Sequence, residues 1–198
     1  ALAEAVGEGD DAAYHAAFVA AGERAFAEAE AAERAGHDQS ARENYLRASA
    51  IFDTSYHPLY GAPTDPRLVA AFRRQMTAMQ RAFALMDPRP IPLAIPFEGA
   101  TIHGWYLPAP KEAGGTAPLV VFTNGYDGTV TDMYFASAAA AHRRGYASLI
   151  FDGPGQGGML YEQSVAMRPD WETVVSAVLD VAVTLPDVDP ARIALSGW

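Results

Sequence analysis

The last residues, Arg192-Ile193-Ala194-Leu195-Ser196-Gly197-Trp198, read as a buried strand running into the first two positions of a G-x-S-x-G turn. That sharp strand-to-helix bend raises a serine for nucleophilic attack. Gly197 and Trp198 fill the two positions, so the nucleophile is expected immediately after Trp198, while Ser196 belongs to the strand. A second loop, Thr123-Asn124-Gly125-Tyr126-Asp127-Gly128-Thr129, carries two glycines that let the backbone turn sharply and aim N–H groups into a cleft. A third, Asp152-Gly153-Pro154-Gly155-Gln156-Gly157-Gly158, matches G-x-G-x-x-G through Gly153, Gly155 and Gly158. It is not read as a dinucleotide site, because that fingerprint opens the first βαβ unit and is followed by an acid at a strand end. Here it follows the fourth predicted strand, and the nearest acid of that kind, Asp180, lies in a predicted helix. A structural turn is expected instead, with Asp152 bonding amides of its own loop.

None of the five histidines is a convincing base. His15 and His142 fall on helix faces expected to meet solvent, His37 lies in an interhelix turn, and His103 alternates with apolar strand residues. His57, within Ser55-Tyr56-His57-Pro58-Leu59-Tyr60, belongs to an aromatic loop that can line a pocket. No H-E-x-x-H or paired His/Asp spacing points to a metal, and no cofactor is expected.

The elements that must position these loops change character near Asp87-Pro88-Arg89-Pro90. Residues 1 to 88 are expected to form a helical domain and residues 89 to 198 an α/β core. In the first part Tyr14, Phe18, Gly22 and Phe26 recur every four residues on a helix from about Asp11 to Ala35, closed by Gly36. A second helix is expected to open at Ser40-Ala41-Arg42-Glu43 as a capping box, burying Tyr45, Leu46, Ser49 and Phe52. A third starts at Asp65-Pro66, an acid at the N-cap and proline at the first helical position. Its stripe runs through Leu68, Phe72, Met76, Met79, Phe83 and Met86.

The second part reads β, β, β, α, β, α, β. Ile91 to Phe97 and Ala100 to Leu107 form a hairpin around Glu98-Gly99, with Pro92 and Pro96 marking an edge strand. Pro118 to Thr123 and Tyr146 to Phe151 are short apolar runs suited to strands buried on both faces. Helices are expected from Thr131 to Arg144 and from an Asp170 cap to Leu185, followed by a strand from Arg192 to Ser196. Such alternation predicts an α/β fold with a mostly parallel sheet and an antiparallel first hairpin.

Composition narrows the partners. Half of the 198 residues are hydrophobic and the net charge is −10, which argues against nucleic acid or an anionic membrane, since those surfaces reward clustered Lys and Arg. With no cysteine, disulfides and thiolate chemistry are excluded within this segment. No leader or 18-residue apolar run is evident, so a cytoplasmic protein is expected. The acidic helices can pair with a second copy as a homodimer.

In combination, Thr123 to Thr129, Asp132-Met133-Tyr134-Phe135, Arg144-Gly145-Tyr146, Phe151 to Gly157, Arg168-Pro169-Asp170-Trp171-Glu172 and Val188 to Leu195 resemble one family. It is that of the serine α/β hydrolases related to 2,6-dihydroxypseudooxynicotine hydrolase and the fermentation-respiration switch protein. The resemblance covers the whole chain and implies an N-terminal helical cap ahead of the first part of an α/β-hydrolase core. It implies a serine hydrolase cleaving an ester or a C–C bond next to a ketone in an aromatic or polyketide-like small molecule. The Tyr126 N–H stands where one oxyanion-hole donor is expected. Asn124, Gly125, Asp127 and Trp198 are candidates to bind substrate beside it, and Tyr45, His57 and Tyr60 to face it from the cap. The triad acid and histidine follow the serine in chain order. The remaining C-terminal segment of the same fold is therefore the expected partner, with activity only in its presence. Between ester and C–C cleavage the sequence is nearly silent, because both use the same acyl-transfer machinery. A rival reading takes the first helices as a tetratricopeptide-like binding module beside an inert hydrolase remnant. Only one helical hairpin fits that repeat, and about three are needed to stack.

Overall fold

A computed structural model describes residue 6, residues 9 to 110 and residues 115 to 198. The chain divides into two compact units, Ala1–Met86 and Asp87–Trp198.

The first unit is helical: α1 (Asp11–Arg34), α2 (Asp38–Ser55), a 3-10 turn (His57–Leu59) and α3 (Pro66–Ala84). Helices α1 and α2 approach closely because Gly22 has no side chain; a Cβ there would fall 2.7 Å from the Phe52 ring. Phe26 meets Tyr45 edge-on at 5.1 Å, and Leu68, Phe72, Met79 and Phe83 of α3 complete the core. Met76 and Met86 are only partly buried. Asp65 caps α3 by accepting the Arg67 N–H, with Pro66 in the first turn. The expected capping box of α2 is not made. The helix opens two residues earlier, at Asp38 behind His37, and Arg42 takes the Glu43 carboxylate at 2.8 Å, so that side chain does not reach back to Ser40. His15 is also more enclosed than a solvent-facing position, with Nδ1 3.0 Å from the Ser55 carbonyl.

The second unit is built on a five-stranded sheet: β1 (Ile91–Phe97), β2 (Ala100–Leu107), β3 (Ala117–Thr123), β4 (Ala147–Asp152) and β5 (Val188–Gly197), in the order β1-β2-β4-β3-β5. The β1/β2 hairpin is antiparallel, β2 pairs β4 antiparallel, and β3 pairs both β4 and β5 in parallel. β1 lies at an edge, where Pro92 and Pro96 cost no ladder bond. β4 is buried throughout, and its alternate residues serve opposite faces. Ala147, Leu149 and Phe151 join Ile95, Ile102, Leu119, Val121, Val174 and Val178 in one core.

Helices α4, α5 and α6 connect the strands. α4 combines Val130–Met133, a π-helical stretch Tyr134–Ala138 and Ala139–His142, and Gly145 follows it with φ +84°. α5 spans Gly157–Tyr161 and α6 spans Trp171–Ala182. α6 stops three residues short of the expected Leu185, because Thr184 and Leu185 bond back to Val181 and Ala182 and tighten the last turn. His142, expected on a solvent face, is partly enclosed, with its ring 3.1 Å from the Pro108 carbonyl. β5 begins at Val188, four residues before the expected Arg192. The ladder with β3 is irregular there, stepping from Ala117–Val188 to Leu119–Ile193, and Asp189 accepts the Ala191 N–H and the Arg192 guanidinium. Among the described residues β5 pairs only with β3, and Leu195 is exposed. No described helix is long and apolar enough to cross a membrane.

Candidate functional site

The C-terminal ends of β3, β4 and β5 lie side by side, so the loops that follow β3 and β4 and the end of β5 share one rim of the sheet. The register pairs Thr123 with Gly197, and the Trp198 N–H donates to the Thr123 carbonyl at 3.3 Å. Residue 198 therefore stands beside the loop that leaves β3. The first residue of α6 secures the same spot: the Trp171 indole N–H donates to Thr123 Oγ1 at 2.9 Å.

The β3 loop is short because α4 restarts at once. Thr129 closes a capping box with Asp132, whose carboxylate accepts the Thr129 N–H at 2.8 Å. Within the loop Asn124 is 6% exposed, and its side-chain amide has no hydrogen-bond partner among the described residues. Gly128 allows this: a Cβ there would lie 2.7 Å from Asn124 Oδ1. Tyr126 is 76% exposed, Asp127 is exposed, and Trp198 is 68% exposed. The Gly125 and Tyr126 N–H groups donate to no described protein acceptor.

The β4 loop holds the β3 loop through one side chain that sequence reading passed over. Gln156 is 1% exposed. Its Nε2 donates to the Asn124 carbonyl at 2.9 Å and the Gly125 carbonyl at 2.7 Å, and its Oε1 accepts the Gly153 N–H at 3.0 Å. Gln156 therefore bonds the Gly153 amide of this loop. Asp152 is buried, with its carboxylate against Gly157. The other glycines here serve internal packing. A Cβ on Gly153 would meet the Trp171 ring at 2.7 Å, and Gly155, at φ +82°, lies 2.7 Å from the Met167 backbone by the same measure. Room made by these glycines is filled by the chain's own side chains, consistent with a turn and not with a phosphate cradle. The sequence signal for Gln156 was a long amide between two glycines, Gly155 and Gly157, with few other polar side chains available to the buried turn.

At the start of α6, Arg168 donates to Asp170 at 2.8 and 2.6 Å and to Glu98 of the hairpin turn at 2.6 Å. The guanidinium holds the Asp170 carboxyl down at about 2. Asp170 thus occupies the N-cap position, but its carboxylate goes to Arg168 and makes no capping bond to the α6 backbone.

The three candidates on the helical unit differ among themselves. Tyr45 is fully buried and donates its hydroxyl to Glu33 at 2.7 Å, so it is a packing residue of α1 and α2 and no longer a substrate contact. Burial first, and the Glu33 bond second, push its hydroxyl up to about 12. His57 and Tyr60 remain accessible: the rings stack at 5.6 Å, and His57 Nε2 lies 3.8 Å from Asp53 Oδ2. Among the described residues no group of three or more His, Cys, Asp or Glu could hold a metal.

No family model matches the chain. It is 36% identical to the hydrolase LUC6 of a Fusarium species over all of this chain and 49% of that protein. To the α/β hydrolase gkaG of Penicillium citrinum it is 38% identical over 93% of this chain and 45% of that protein. It is also 37% identical to the 20-hydroxy-prefusarin hydrolase FUS2 of Gibberella moniliformis, over 96% of this chain and 47% of the relative. The crystal structure of 2,6-dihydroxy-pseudo-oxynicotine hydrolase superposes with a TM-score of 0.81 at 25% identity, over 93% of this chain and 50% of that one. The chain spans about half the length of the curated relatives it matches.

Proposed function

This chain has the α/β-hydrolase fold and resembles the α/β hydrolases in sequence, and from that premise we propose that it forms the N-terminal part of a serine hydrolase. The residue following Trp198 is its nucleophile and the Tyr126 N–H is one oxyanion donor. The observation that carries the reading is the undonated Tyr126 N–H on an exposed loop, beside the point where β5 delivers Trp198. A serine there adds to a substrate carbonyl while its proton passes to a histidine from the remainder of the fold. The carbonyl π-pair moves onto oxygen, where the Tyr126 N–H receives it. Such a donor contributes about 3 kcal/mol to the transition state, since the charge appears only as the nucleophile adds. Collapse of the intermediate expels the leaving group with the bonding pair, the histidine returns the proton, and water hydrolyses the acyl-enzyme.

The substrate is an ester, or a C–C bond next to a ketone, in an aromatic or polyketide-like small molecule. Two similarities support this class: one to a 20-hydroxy-prefusarin hydrolase, the other to the pseudo-oxynicotine hydrolase fold. In C–C cleavage the departing carbanion is held as the enolate of the neighbouring ketone, so the same donors serve both bond types. Asn124, Gly125, Asp127 and Trp198 line the rim around the carbonyl.

The test is to incubate the full-length protein with aryl esters and with 1-aryl-1,3-diketones and identify products by mass spectrometry. The expected products are a carboxylic acid with either an alcohol or a methyl ketone. Failure to cleave either class, together with no labelling by a fluorophosphonate, would support the inert remnant with a helical binding module.

A further inference from the structure

We propose that Gln156 is the positioning residue that sets the orientation of the oxyanion donors, an inference that rests on the serine-hydrolase reading above. A peptide unit is planar and trans, so its C=O and N–H point in opposite directions. The Asn124 and Gly125 carbonyls both converge on Gln156 Nε2, at 2.9 and 2.7 Å. The N–H groups of the same two peptides, on Gly125 and Tyr126, must therefore both point away from Gln156. Neither of these two successive amides donates to a described acceptor. Successive backbone N–H groups aimed to one side make an anion-receptive concavity.

Chemistry and burial both fit such a latch. The side chain uses both N–H donors on the β3 loop and its oxygen on the Gly153 amide at 3.0 Å, so all of its polar groups are spent on main chain. At 1% exposure it is sheltered from competing water. Nothing else among the described hydrogen bonds holds either carbonyl. Without Gln156 the Gly125–Tyr126 peptide is free to turn over, which would direct a carbonyl, not an amide, at a developing oxyanion. Glycine at 125 makes that rotation cheap, so the fold needs a restraint from outside the loop.

The test uses the full-length protein and a Gln156→Glu variant, which keeps size and the acceptor for Gly153 but replaces the two-donor amide by a carboxyl with at most one donor, so that at least one of the two carbonyls is released. Loss of an oriented oxyanion donor lowers kcat by about 10²-fold. The expected result is therefore a fall of that order with KM nearly unchanged, and a parallel loss of affinity for an aryl boronic acid, which mimics the tetrahedral state. A variant with wild-type kcat and boronate affinity would overturn the proposal. Should Gln156→Glu not fold, the crystal structure of the fluorophosphonate adduct of the unaltered protein decides. The phosphonyl oxygen is expected within hydrogen-bond distance of the Tyr126 N–H, with Gln156 still on the Gly125 carbonyl. An adduct with that peptide turned over, or with Gln156 bonded elsewhere, contradicts it. If the unaltered protein takes up no fluorophosphonate, the serine-hydrolase reading itself fails, an outcome distinct from an active enzyme indifferent to Gln156.

Discussion

The indole of Trp171 bridges two loops: its N–H donates to the Thr123 hydroxyl at 2.9 Å, and its ring occupies the space that a Cβ on Gly153 would need. One side chain at the head of α6 therefore fixes the end of β3 and the turn after β4, the two segments whose meeting shapes the candidate site. Trp171→Phe keeps much of the ring and loses the donor. It is expected to cost about 1–2 kcal/mol in urea unfolding, the usual worth of a partly buried hydrogen bond. Thr123→Val should cost a similar amount, and the double variant should show clear non-additivity.

Gly155 and Gly99 share a φ of +82° but differ in surroundings: Gly99 has nothing within 4 Å of a built Cβ, whereas at Gly155 the Met167 backbone lies 2.7 Å away. Gly99→Ala is expected to cost about 1 kcal/mol, from the backbone conformation alone. Gly155→Ala carries the same conformational cost plus a backbone collision, about 3 kcal/mol or more in total. Equal losses in thermal or urea unfolding would contradict the packing role assigned to the β4 turn.

Acid should destabilise the fold through two identifiable groups. The Arg81 and Tyr45 hydrogen bonds hold the Glu33 carboxyl below its ordinary 4.5. Its contribution is therefore fully present above pH 4.5 and is lost as pH falls through the lower folded value. Burial lowers the His142 pKa from 6.5, against a smaller opposing effect of its bond to the Pro108 carbonyl. The unfolded chain then takes up a proton that the folded one refuses, so stability falls as pH drops below 6.5 towards the folded value. Glu33→Gln should flatten the stability profile below pH 4.5, and the His142 ring should titrate below 6.5 by NMR.

If the backbone of Tyr126 is the donor, its side chain is dispensable and its N–H is not. Tyr126→Phe is expected to leave kcat within about threefold, whereas Tyr126→Pro, which deletes the N–H, should lower it by about 10²- to 10³-fold. Equal effects of the two substitutions in steady-state assays would assign the role to the phenol.

Much of the scaffold was legible because it is written in local signals. Pro92 and Pro96 mark the edge strand, Glu98-Gly99 the hairpin turn, Asp65-Pro66 the start of α3, and the apolar runs at 118–123 and 146–151 the inner strands. What escaped depends on partners distant in sequence. Arg42 diverts Glu43 from its expected cap, and Arg168 takes the Asp170 carboxylate. Tyr45 has the exposure of a core residue because Glu33 and α1 close over it. Gln156 was the largest omission: read along the chain it is a spacer between glycines, and its role exists only once the turns after β3 and β4 are brought together. The two loops after β3 and β4 were recognisable from their glycines, but what each glycine accommodates was not. At Gly153 and Gly155 the chain's own Trp171 and Met167 fill the space.

The most direct measurement is fluorophosphonate labelling of the full-length protein followed by peptide mapping. The account predicts stoichiometric modification of a serine at the residue immediately following Trp198, abolished when that residue is replaced by alanine. Modification at Ser196 or any other serine of this chain, or no modification of a protein that nonetheless cleaves its substrate, would contradict it.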